Sequence, residues 1–181
     1  MQPHSGDPAM DIYQIIEHRK SVRRYRPDEI EKEKLERVMN AARLAPSGNN
    51  RQPWRFILVR DPATKEKLVP VCWRQKFIAE APLVIVACAL PSEGSVGGAI
   101  TTSVVDTSIA VTHLMLAATH EGLGTCWIGA FEAEPVKKIL SIPAEVAVVA
   151  IVPLGYPVDD SRAAKSRKSF AEIICEESYK Q

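Results

Sequence analysis

Apolar residues recur along this chain with two different periods. Asp11 precedes Ile12, Ile15 and Ile16 at helical spacing, and Gln14 stands three residues after it, so a capped amphipathic helix is expected to start here. It runs into the basic cluster His18 to Arg24 and breaks near Pro27. A second helix is expected from about Glu31, with Leu35, Val38, Met39 and Ala42 on one face and Pro46 closing it. Two short runs, Arg55 to Arg60 and Leu83 to Leu90, are rich in β-branched and aliphatic residues and predict strands, with one or two short helices between them.

Ser103 to Glu121 is the longest helical segment. Val104, Val105, Ile109, Val111, Leu114, Met115 and Leu116 make it apolar on more than one side, which predicts a central or interface helix. Gly122 and Gly124 end it, Thr125 to Phe131 enters the core, Glu134 to Leu140 is a short helix, and Val146 to Leu154 is a third clear strand. A polar loop, 159–168, precedes a last helix expected over Ser169 to Glu177. Strands and helices interleave without a strict βαβ beat and without a linker, so one α+β domain is expected, a sheet flanked by helices in three layers.

At 181 residues, 46% hydrophobic and 25% charged, the chain has the make-up of an ordinary folded domain. Its net charge of +1 supplies no general field for nucleic acid or an anionic membrane, and no apolar stretch approaches the roughly 20 residues of a membrane helix. Residues 1–9 are polar and lack a secretion-signal layout, so they read as an extension or tag remnant ahead of a domain over 10–181, in a cytoplasmic protein. Cys72, Cys88, Cys126 and Cys175 form no CxxC pair, which suits reduced, mostly buried thiols better than a disulfide framework or a zinc site.

Four segments could carry chemistry. Arg19-Lys20-Ser21-Val22-Arg23 places cations and a hydroxyl within about one helical turn, able to grip a phosphate or equally to form a solvated basic helix end. Pro46 to Trp54 is crowded with small residues and side-chain amides that could read a polar heterocycle, or simply serve as a turn-rich connector anchored by Trp54. Gly122 to Gly129 fails as a dinucleotide fingerprint, because Trp127 stands where the third glycine belongs and a helix precedes it. It remains a place where backbone can approach a ligand closely, with Cys126 read as a structural thiol. Lys165-Ser166-Arg167-Lys168 is a charge run that gains meaning only if it meets the first cluster in space.

In this order the four segments resemble the nitroreductase (FMN reductase) family, over about Ile12 to Ile174. The resemblance implies a nitroreductase-like central mixed sheet and a homodimer with FMN at the subunit interface. It implies that Arg19, Lys20, Ser21 and Arg23 bind the FMN phosphate, ribityl chain and pyrimidine edge, and that Lys165 and Arg167 complete the phosphate clamp. Pro46, Ser47, Gly48 and Asn50 would reach the flavin of the partner, while Trp127, Ile128 and Gly129 line the ring. NAD(P)H would be a transient donor, no metal would be needed, and a nitroaromatic, quinone or similar electrophile would be the acceptor in a ping-pong cycle. A flavin-binding module without turnover and a reductive dehalogenase are the alternatives. The chain is short for the family, which leaves Ser92 to Thr102 as the lid.

Overall fold

Why the run at Leu83 is apolar without interruption becomes plain in the computed structural model, which describes residues 10–159 and 165–179. The chain runs α1 (Ile12–His18), α2 (Lys32–Arg43), a 3-10 turn (Gly48–Asn50), β1 (Trp54–Val59), α3 (Pro62–Val71), α4 (Phe77–Glu80) and β2 (Leu83–Ala89). A hairpin follows, β3 (Ser95–Val96) and β4 (Ile100–Thr101), and then α5 (Thr102–His120), β5 (Gly124–Thr125), α6 (Ala133–Leu140), β6 (Ala147–Gly155) and α7 (Phe170–Ile173). The main sheet has the order β1-β2-β6-β5. Leu83, Ile85 and Ala87 of β2 belong to the core shared with α2 and α5, while Val84, Val86 and Cys88 belong to the core shared with α3, α4 and α6. A strand covered on both faces has no polar side to show, so its alternation disappears from the sequence.

These two cores make the expected three layers. Every ladder between named strands is antiparallel, and the parallel component of the sheet is the isolated bridge Ser21–Thr125. The capping box at Asp11 and Gln14 forms as the sequence predicts. Thr102–His120 is central: Ala110, Val111, Leu114, Met115 and Ala118 form a buried stripe against the sheet and α2.

Two expectations change. The basic cluster does not continue the first helix: α1 ends at His18 and the chain becomes extended, bridging Ser21 to Thr125 and Tyr25 to Pro157. The pairing groups offered by β5 and the end of β6 outcompete another helical turn. The last helix is a single turn, Phe170–Ile173, closed by a Ser169–Glu172 capping box, and Ile174 is already extended. Its apolar side chains pack on no core among the described residues, and a short helix without tertiary packing does not propagate.

Within one helical layer, α2 is tied to the end of α5. Arg37 grips Glu121 in a two-pronged ion pair, Nε to Oε1 at 2.6 Å and Nη2 to Oε2 at 2.7 Å. Those bonds hold the Glu121 carboxyl below its ordinary value. Stabilisation by the pair is therefore complete above the unfolded glutamate value of about 4.3 and lost as pH falls through the lower folded value. Arg37→Met is expected to melt earlier than wild type at pH 7, with the gap closing in acid; a Tm series across pH checks this, and a gap that stays constant would count against it.

Candidate functional site

The extended segment after α1 is stitched to the sheet. Val22 N–H donates to the Thr125 carbonyl at 2.9 Å, Arg26 N–H to Tyr156 O at 2.9 Å, and Val158 N–H to Arg24 O at 3.1 Å. Val22 and Tyr25 point into the core, and the Tyr25 hydroxyl donates to Val22 O at 2.8 Å. Burial in that position raises the Tyr25 hydroxyl far above the ordinary tyrosine range, so it stays a neutral donor.

Ser21 and Arg23 are exposed beside buried Cys126, whose thiol is raised by burial and only partly relieved by Arg23, a Ser21 hydrogen bond and Arg19. A raised, buried thiol is a poor nucleophile, in keeping with a structural Cys126.

The fold brings the late cations to this place. Lys165 Nζ donates to the carbonyl of Glu17 at the end of α1. Burial, then the positive charges of Arg19 and Arg167, press the Lys165 ammonium below the ordinary lysine value, with Glu17 opposing. Residues almost 150 positions apart thus assemble one crowded cationic corner from Arg19, Lys165 and Arg167, with Ser21 and Arg23 on the adjoining segment. Gathering like charges carries a cost that an anion held among them would offset.

Lys20 stands apart. It donates to Asp159 O at 3.1 Å and, with His18, Val22, Thr119 and Gly124, lines a separate cavity of about 260 Å³. Strand alternation turns its side chain away from those of Arg19 and Ser21.

Alternation also sorts the stretch after β5. Cys126 and Ile128 are buried, and Ile128 exchanges both backbone bonds with Ile151 at 3.0 Å. Trp127 and Gly129 face outward, with the indole nitrogen 3.5 Å from where a Cβ on Gly129 would sit. The Ile128 side chain is thus committed to the core, leaving Trp127 and Gly129 as the open surface. At Gly124 the close approach serves packing: the atoms nearest an added Cβ belong to Val22.

The loop 46–52 is built differently. Asn49, Asn50 and Gln52 all have left-handed backbone, at φ 51°, 55° and 49°. Ser47 Oγ accepts from Gln52 N–H at 3.0 Å, Gln52 Nε2 donates to Asn50 O at 3.1 Å, and Gly48 N–H donates to Asp106 Oδ1 at 3.1 Å. Trp54 packs on the α2 and α5 core and anchors the loop as expected. Pro46, Gly48 and Asn50 are exposed. Asp106 escaped sequence reading, although a single acid inside an otherwise uncharged helix was a visible signal.

Within one chain the loop and the cationic corner are far apart. The loop feeds β1 at one sheet edge, where Trp54 is level with Ala89 and Ala147, whereas Ser21 joins Thr125 of β5 at the other edge, level with Leu154. Seven residues along β6 correspond to about 23 Å, and three strand spacings to about 14 Å. The expected lid, Ser92 to Thr102, contains the β3–β4 hairpin, whose Val96 and Ile100 are exposed. Its base is clipped to the loop by Arg51 Nη1 donating to Glu93 O.

Among the described residues no helix is long and apolar enough to cross a membrane. The nitroreductase family model matches residues 16–77 and 70–156. A crystal structure of a nitroreductase family protein from Clostridium novyi NT is 36% identical, with a TM-score of 0.79 over 86% of this chain and 89% of that one. Iodotyrosine deiodinase of Thermotoga neapolitana is 30% identical, covering 82% of this chain and 89% of the relative. FMN reductase [NAD(P)H] of Bacillus subtilis is 28% identical, covering 93% and 74%. Motif order, fold and a match spanning most of the sequence agree: this chain belongs to the nitroreductase family.

Proposed function

We propose that the protein is an FMN-dependent oxidoreductase that takes hydride from NAD(P)H and passes it to an electrophilic small molecule. The observation that carries this reading is the convergence of Arg19, Lys165 and Arg167, with Ser21 and Arg23 beside Cys126 and the outward-facing Trp127 and Gly129 on the stretch that follows it. The donor set fits FMN. Two guanidiniums and an ammonium suit a phosphate dianion, Ser21 offers a hydroxyl, and Trp127 with side-chain-free Gly129 suits a flat ring.

When bound, FMN supplies the reversible acceptance of hydride. The chain's own residues do the rest. Arg19, Lys165 and Arg167 would hold the phosphate end, and Arg23 would place a positive charge near the ring, favouring the reduced, negatively charged form. No protein nucleophile is called for, in keeping with the raised Cys126 thiol. The outward-facing Trp127 and Gly129 would leave room for a nicotinamide donor and an electrophilic acceptor to enter in turn, which would give ping-pong kinetics, with nitroaromatics and quinones as the proposed acceptors.

The site is completed by a second copy. Following the family resemblance, its Pro46, Ser47, Gly48 and Asn50 would reach the flavin held by the first, a reading that the separation of loop and clamp within one chain supports. Exposed apolar side chains on α1 (Ile12, Tyr13, Ile16) and around α7 (Phe170, Ile173, Ile174) supply surface for such a homodimer. The unit is one FMN-binding domain over 10–181, working in the cytoplasm; residues 1–9 lie outside those described.

Purified protein reconstituted with FMN is expected to be yellow, to bleach on anaerobic addition of NADH or NADPH, and to recover its colour with a quinone. Protein that retains no FMN would remove the reading. Protein that holds FMN but is not bleached by either nicotinamide would be a binding module.

A further inference from the structure

Asp106 has a place in the fold that packing alone does not explain. It lies in the second turn of α5 on the buried stripe, only 4% exposed, where the later positions Ala110, Val111 and Leu114 are apolar. Its Oδ1 accepts the Gly48 N–H at 3.1 Å, a bond across 58 residues that ties the 46–52 loop to the helix. Its Oδ2 is buried and has no hydrogen-bond partner among the described residues. A buried carboxylate that keeps one oxygen unpaired carries a desolvation cost, so the bond it does make has structural work to do.

What that bond holds is an otherwise unfavourable loop. Three non-glycine residues, Asn49, Asn50 and Gln52, sit in left-handed conformation directly after Gly48. Gly48 lies against the helix so closely that a Cβ there would meet Thr102 Cγ2 at 3.1 Å. Ser47 Oγ with Gln52 N–H and Gln52 Nε2 with Asn50 O are internal ties that fix the loop's shape, while Arg51 to Glu93 O and the packing of Trp54 hold its far end, leaving the Gly48–Asp106 bond to place its start.

We propose that Asp106 is a positioning residue for flavin binding: it acts through the Gly48 amide to hold Ser47 and Asn50 where the neighbouring subunit's cofactor meets them. This rests on the FMN reading above. A charge-assisted bond is worth enough that its loss weakens FMN binding about tenfold or more. Asparagine keeps an acceptor at the Oδ1 position; alanine keeps none.

The test compares full-length wild type, Asp106→Asn and Asp106→Ala by FMN titration and by amide hydrogen exchange at Gly48 in flavin-free protein. Asp106→Ala is expected to bind FMN about tenfold or more weakly and to exchange the Gly48 amide faster. Asp106→Asn is expected to restore slow exchange and most of the affinity. Should Asp106→Ala not fold, Asp106→Ser, which stays polar but falls short of the Gly48 amide, takes its place. Unchanged FMN affinity in the alanine or serine variant would overturn the proposal, as would an asparagine variant no better than alanine. If wild type itself binds no FMN, the cofactor reading is what fails, and the exchange measurement still decides whether Asp106 holds the loop.

Discussion

Alanine at position 124 is expected to lower FMN affinity by at least about tenfold and to reduce Tm by several degrees, through the packing of Gly124 on Val22. A Cβ there would lie 2.6 Å from Val22 Cγ2, 2.9 Å from its Cβ and 3.0 Å from Cγ1. Neither side can yield cheaply. Val22 is β-branched, its N–H is bound to Thr125 O, and its carbonyl accepts the Tyr25 hydroxyl. Relief requires the segment carrying Ser21 and Arg23 to lift from β5, which opens the clamp. Overpacking of this kind costs about 1–3 kcal/mol, and at this chain length each kcal/mol moves Tm by roughly 2–4 °C. Val22→Ala in the same molecule removes the two Cγ contacts but keeps the Cβ at 2.9 Å, so it should restore only part of both losses. Thermal melts and FMN titrations on the single and double variants decide it; a Gly124→Ala protein with wild-type affinity would contradict the close approach.

A second large effect belongs to the proposed dimer. Arg19→Ala with Lys165→Ala removes two of the clamp's cations, and Ser47→Ala with Asn50→Ala removes the loop's contacts. Each homodimer is expected to lose FMN almost completely. A mixed dimer with one defect in each chain pairs a sound clamp with a sound loop at one site and both defects at the other. Differently tagged chains, co-expressed and purified through both tags, should bind FMN at one site of the two with wild-type affinity. Mixed dimers with no tight site would exclude a site shared between subunits.

Much of the fold was legible because its signals are local. The Asp11–Gln14 capping box, the Pro46 stop, the strands at 54–59 and 83–89 and the long helix at 102–120 each follow from residues within a turn or two of one another. The basic segment misled because helical continuation after His18 competes with strand pairing to Thr125, a residue about a hundred positions away. The C-terminal helix misled because helical spacing at Phe170 and Ile173 promises a partner face, and among the described residues both side chains stay exposed. Asp106 went unseen as a site residue for a similar reason: its partner is the Gly48 amide, and a backbone N–H has no signature in sequence.

The sequence by itself determined the inventory. It named the cations at 19, 23, 165 and 167, the hydroxyl at 21, the amide-rich loop and the aromatic at 127, and their order resembled one family. Only the tertiary structure decided which of them meet. It joined Lys165 to the end of α1, turned Lys20 toward a separate cavity, committed the Ile128 side chain to the core, and set the loop and the cationic corner at opposite sheet edges. The physical reason is the period of the extended chain. Adjacent residues in a strand point to opposite sides, so a run of candidates that looks uniform in sequence is divided as soon as one of them pairs with the sheet.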